Sequence, residues 1–148
     1  MTVSRRQFVV MSLGATAVAA AGLPAHASSD EAKALIDAFT GGLEPQAGHI
    51  TLTLPEVAEN GNTVPVSIAV DSAMEGDDFV ESVLIVADGN PRPDVAKFHF
   101  SALSAAAAAS TRIRLAQSQT LTAVAKMKDG SFHSDSREVT VTVGGCTG

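Results

Sequence analysis

A chain of 148 residues with 10 basic and 16 acidic side chains carries a formal net charge of −6 and has room for one domain. An acidic surface repels nucleic acid and anionic lipid, which argues against both as partners. Trp and Tyr are absent, which disfavours an aromatic-lined sugar site or a stacking platform, and a single Cys cannot close an internal disulfide.

Residues 1–27 read as an export signal, not as part of a fold. Ser4-Arg5-Arg6-Gln7-Phe8-Val9 has the form of a twin-arginine motif, with Arg5 and Arg6 as its signature pair. A weakly apolar run follows from Val9 to Leu23, and Ala25-His26-Ala27 puts small residues where a signal peptidase reads. The run is short and rich in Ala and Gly, so it is a poor transmembrane span; an uncleaved N-terminal anchor is the other reading. Cleavage after Ala27 would leave Ser28 to Gly148, 121 residues with 8 basic against 16 acidic side chains and a net charge of −8. The expected compartment is the periplasm, where a lone Cys points to intermolecular pairing or a reactive thiol.

The retained chain divides into a domain over 28–143 and an arm over 144–148. Residues Ser29 to Thr40 predict one short helix. Ser28 and Glu31 have capping-box spacing, Leu35, Ile36 and Phe39 form a narrow apolar stripe, and Gly41-Gly42 ends it. The period then changes to two. Alternation marks strands around Ile50–Leu54, Val64–Val70, Phe98–Phe100, Ile113–Leu115, Leu121–Met127 and Val139–Val143. Phe79 to Val86 is nearly continuous and fits a strand covered on both faces, by core or by a partner. Asn60-Gly61 and Asp129-Gly130 read as hairpin turns, and Asp88 to Pro93 as a loop. Pro65 cannot donate to a ladder, so its strand is expected at an edge or at a bulge. Ala105 to Ala109 reads as a loop containing at most a turn of helix. About seven antiparallel strands with a short N-terminal helix predict a mainly β, immunoglobulin-like sandwich.

The chemistry falls on the last five residues. Gly144 and Gly145 lack side chains, so the arm is expected to be thin and flexible, carrying the Cys146 sulfur roughly 10 Å beyond the last strand residue. Thr147 and Gly148 complete it. No second Cys makes a Cys-x-x-Cys pair, and no His, Lys or Arg is near in sequence to activate the thiol. Cys146 therefore reads as an attachment point acted on by other enzymes, not as a nucleophile with its own machinery.

At these residues the chain resembles the SoxY family of sulfur carriers. The resemblance runs through Ser4-Arg5-Arg6, Ser110-Thr111-Arg112-Ile113-Arg114-Leu115, Thr122 to Met127, Asp129-Gly130-Ser131 and the terminal Gly144-Gly145-Cys146. The family ends in Gly-Gly-Cys-Gly-Gly, so Thr147 stands where glycine is usual and makes the tip stiffer and wider. The resemblance implies a covalent carrier with no cofactor of its own, paired with a SoxZ-like β-sandwich subunit. It also implies three visiting enzymes: a c-type cytochrome that couples thiosulfate to Cys146, a manganese-dependent thiosulfohydrolase and, in some organisms, a molybdenum sulfane dehydrogenase. Disulfide-linked higher oligomers through Cys146 stay open.

Other residues point to blander roles. His49, His99 and His133 lack metal-site spacing and read as surface histidines. The acidic stretch Asp71, Glu75, Asp77, Asp78 and Glu81 lacks an EF-hand pattern and reads as a solvated loop. Arg112 and Arg114 share one strand face, where pairing with acids across the sheet is the default and partner contact the alternative. Two rival functions are an independent thiol enzyme, and a structural or interaction sandwich with a disulfide-forming terminal cysteine.

Overall fold

A computed structural model describes residues 27–145; the export motif with Arg5 and Arg6, and the tip residues Cys146, Thr147 and Gly148, lie outside them. Two sheets face each other. One contains β1 (Gln46–Ala47), β9 (Phe132–Val143), β8 (Gln119–Met127), β5 (Val80–Ala87) and β6 (Asp94–His99) in that order, with β3 (Val57–Asn60) also paired to β9. The other contains β2 (Ile50–Thr53), β4 (Val64–Val70) and β7 (Ala108–Ile113).

Alternation builds the core. On β4, Val64, Val66, Ile68 and Val70 point inward and are buried; Val83, Ile85 and Ala87 of β5 and Leu121, Ala123 and Ala125 of β8 meet them from the facing sheet. The continuous apolar run of β5 is explained by two covers. Its alternate residues Leu84 and Val86 form a second cluster beneath α1 (Ala27–Thr40). The stripe that α1 lays down there is Ala32, Ile36 and Phe39, shifted from the Leu35-centred stripe expected. The helix also includes Ser28, which therefore sits within it and not at a cap. Its end follows the glycines: Gly41 has φ +66°, and the Gly42 N–H donates to Asp37 O at 2.9 Å, a Schellman closure.

Phe39 carries much of this docking. Its ring meets Phe132 edge-on at 5.9 Å, and Lys97 Nζ lies 5.0 Å from its centroid. Phe39→Ala is expected to cost about 2 kcal/mol, because the ring is only half-buried. Urea denaturation checks it.

Six of the seven expected strands are present, the one expected around Ile113–Leu115 lies earlier, at Ala108–Ile113, with Leu115 beyond its end, and two more appear. The two additional strands, β1 and β3, both run parallel to β9. The Asp129-Gly130 turn closes the antiparallel β8–β9 pair, with Met127 N–H bonded to Ser131 O at 2.9 Å. Asn60-Gly61 does not close a hairpin; the chain crosses there from β3 in one sheet to β4 in the other. Pro65 lies on a central strand, but β2 stops pairing at Thr53↔Ser67, so Pro65 faces only Arg112 of β7. The alanine run ends as strand, since β7 begins at Ala108.

Candidate functional site

The base of the arm is held by backbone, not left free. Three segments converge where β9 ends. The Gly61 N–H donates to Val143 O at 2.8 Å, the Leu115 N–H donates to Gly61 O at 2.8 Å, and the Gly145 N–H donates to Leu115 O at 2.8 Å. Residue 145 is buried. The expectation of a loose tether beginning at Gly144 is therefore corrected: Gly144 and Gly145 lie against the sandwich, and a fixed amide directly precedes Cys146.

Glycine has two uses, conformational freedom and close approach, and here the second applies. None of Gly61, Gly144 and Gly145 has a positive φ. A side chain at any of them would collide with backbone instead. A Cβ on Gly145 would sit 2.6 Å from Gly61 O; one on Gly61 would sit 2.6 Å from Gly145 N and nearer still to Leu115 O; one on Gly144 would strike Ala116 O. The three glycines let three chain segments meet at distances that a Cβ forbids.

The 114–116 segment is held in turn from its other side. Asn90, 3% exposed in the loop after β5, donates from Nδ2 to Arg114 O at 2.9 Å and accepts at Oδ1 from the Ala116 N–H at 2.9 Å. Gln119 Nε2 donates to the same Oδ1 at 2.9 Å, and Gln119 Oε1 accepts from the Gly89 N–H at 2.8 Å. Sequence reasoning placed Gly61 in a hairpin turn, Asn90 in a loop and Leu115 in a strand, and gave neither them nor Ala116 a part in the site. The only signal was a buried Asn among turn residues, which looks like any other loop Asn.

The histidines sit at the far end of the sheet. His133 is the second residue of β9 and Val143 the last, a separation of about 33 Å at the usual strand rise. His99 ends β6 opposite Ser82, which also pairs with Lys126 at the same distal end. His49 and His133 form a contact that their 84-residue separation hides, with ring centroids 4.7 Å apart. Burial, and then the neighbouring His49, push the His133 pKa below the ordinary 6.5, while Asp129 acts weakly in the opposite direction. Asp129 itself is occupied by Ser131, which donates from both Oγ and its backbone N–H.

That shift has a sign. Above pH 6.5 both folded and unfolded chains leave His133 neutral; below it the unfolded chain takes up the proton first. Stability is therefore expected to decline as pH falls from 6.5 toward the lower folded value, and His133→Gln to flatten that decline. Denaturation midpoints at pH 7.5 and 5.5 check it.

The acidic stretch is closed on itself: Asp78 accepts the Ala73 N–H at its carboxylate, and Ser72 Oγ donates to Asp78 O. Among the described residues, no group of three His, Cys, Asp or Glu could hold a metal ion. The expected pairing of Arg112 and Arg114 with acids is not found. Arg112 donates to Thr63 Oγ1 at 3.4 Å, and the ion pairs among the described residues are Lys126–Glu81 and Arg137–Asp135. The strand opposite offers Pro65, which carries no charge.

Comparison with known proteins bears directly on this end of the molecule. The family model for the sulfur oxidation protein SoxY matches residues 36–146, three quarters of the chain, and its match ends on the cysteine. The chain belongs to the SoxY family. The sulfur carrier protein SoxY from Chlorobium limicola f thiosulfatophilum is similar in structure, with a TM-score of 0.64 at 29% identity, over 77% of this chain and 94% of that one. Superoxide reductases share the sandwich alone. A neelaredoxin variant from Ignicoccus hospitalis gives TM-score 0.54 at 15% identity over 74% of this chain and 86% of its own. The Nanoarchaeum equitans enzyme gives 0.55 at 12%, over 65% and 100%. A search of curated proteins gives no match. In this chain, then, the glycines 144 and 145 that lead into the cysteine lie against the sandwich.

Proposed function

We propose that this chain is a periplasmic sulfur carrier that holds thiosulfate-derived intermediates covalently on Cys146 and presents them to visiting enzymes. The observation that carries the proposal is the family match reaching Cys146, immediately after a backbone anchor at Gly145. A fixed base directly before the cysteine suits a group that must be delivered, not one that must catalyse. The described histidines lie at the opposite end of β9, which supports a carrier without its own base.

The loading step joins the Cys146 thiolate to the sulfane sulfur of thiosulfate. One S–S bond forms, two electrons leave to the haem enzyme, and the product is a cysteine S-thiosulfonate. Water then cleaves the bond between the sulfane sulfur and the sulfonate, releasing sulfate and two protons and leaving a persulfide on Cys146. The c-type cytochrome enzyme would take the electrons and the manganese hydrolase would direct the water. A molybdenum enzyme would oxidise the remaining sulfane sulfur where it is present. A SoxZ-like sandwich is the proposed permanent partner, and export through the Arg5-Arg6 motif places the chain in the periplasm.

Intact-mass analysis of protein from the periplasmic fraction tests this. The expected species start at Ser28 and include a thiosulfonate adduct that reductant removes. A chain retaining residues 1–27, or one found only as a symmetric disulfide dimer with no sulfur adduct, would overturn the reading.

A further inference from the structure

We infer that Asn90 is a positioning residue for the carrier arm, acting through Leu115 to fix the base from which Cys146 projects; the inference rests on the carrier reading above. The backbone of residues 114–116 behaves as a short rail with two sides. On one side Leu115 offers its N–H to Gly61 and its carbonyl to Gly145. On the other, the Arg114 carbonyl and the Ala116 N–H are met by the two ends of a single side-chain amide, that of Asn90. A primary amide presents one donor and one acceptor with the spacing of a peptide group, so Asn90 stands where a neighbouring strand would. It is buried, and Gln119 holds its oxygen from a third direction, which fixes its rotamer.

Without that amide, two backbone groups of the rail lose their partners in a part-buried setting, and the rail relaxes toward water to satisfy them. The Gly145 N–H then loses a fixed acceptor. The coupling is thus from the loop after β5, through one leucine, to the residue before the thiol.

The test uses the full chain with Asn90→Ala. Hydrogen exchange at the Gly145 amide is expected to quicken about tenfold, while Val83 and Ile85 in β5 change by less than about threefold. A nitroxide on Cys146, the chain's one cysteine, is expected to give a narrower electron paramagnetic resonance spectrum in the variant. Asn90→Asp keeps the acceptor for Ala116 but loses the donor toward Arg114, and should fall between. A folded Asn90→Ala protein with unchanged Gly145 exchange and unchanged label motion would overturn the inference. So would quickening at Gly145 no greater than at β5, which marks general softening. If Asn90→Ala does not fold, Gln119→Ala removes one of the bonds to Oδ1, and absence of a preferential effect at Gly145 there overturns it equally. These readouts need no partner enzyme, so they can fail while Cys146 loading stands, and can hold while loading fails.

Discussion

Cys146→Ser is expected to abolish thiosulfate oxidation in a mixture reconstituted with the partner subunit and the oxidising enzymes, and to shift the thermal midpoint by no more than about 2 °C. A serine oxygen has the same reach but cannot form the S–S bond on which every later intermediate depends. The prediction separates two readings of the same residue. If Cys146 only staples two copies together, the serine variant loses the dimer on a non-reducing gel and keeps whatever activity the mixture has. If it bears the substrate, turnover falls to background while pairing with the partner subunit persists. Turnover that survives the change would end the carrier reading.

Gly61→Ala is expected to disturb the base of the arm strongly, because its methyl group would meet two backbone neighbours at once. Its Cβ would meet Gly145 N at 2.6 Å and Val141 Cγ1 at 3.0 Å, and would press on Leu115 O more closely still. Two of these three neighbours are backbone, so no rotamer change relieves them. Overpacking of this kind costs about 2–3 kcal/mol, and the least costly escape is to part Gly145 from Leu115. The expected result is a lowered urea midpoint together with loss of protection at the Gly145 amide. Were Gly61 present only for turn flexibility, alanine there would leave that amide protected.

These two substitutions also mark what could and could not be read from the residues. The strands β4 and β8 were legible because alternation and burial are the same fact seen twice: Val64, Val66 and Ile68 recur at period two because one sheet face is buried, whereas β5 was legible as a continuous apolar run because both its faces are covered. The strand β3 was not legible, since only Ala58 of its four residues is buried and its pairing depends on β9 lying beside it. The arm drew notice through one cysteine, yet the mechanics expected of its glycines were inverted. Two glycines before a terminus look like slack, and only the carbonyls of Gly61 and Ala116 facing them show that they are contact surfaces. Likewise, the contact between His49 and His133 has no local signature, because the loop that carries His49 is brought to β9 by parallel pairing of β1.

Fastening residue 145 sets a limit on geography. Successive α-carbons are about 3.8 Å apart, so Cys146 begins within that radius of a point nailed to the protein wall. On the carrier role proposed above, cargo bound to Cys146 would start from a stub, not from a line cast into solution. Under that proposal, each visiting catalyst would have to bring the mouth of its own pocket down onto the rim made by the turns around Gly61, Asn90 and Ala116. Selection among visitors would then be a matter of how well their lips fit that rim, before any sulfur chemistry is attempted.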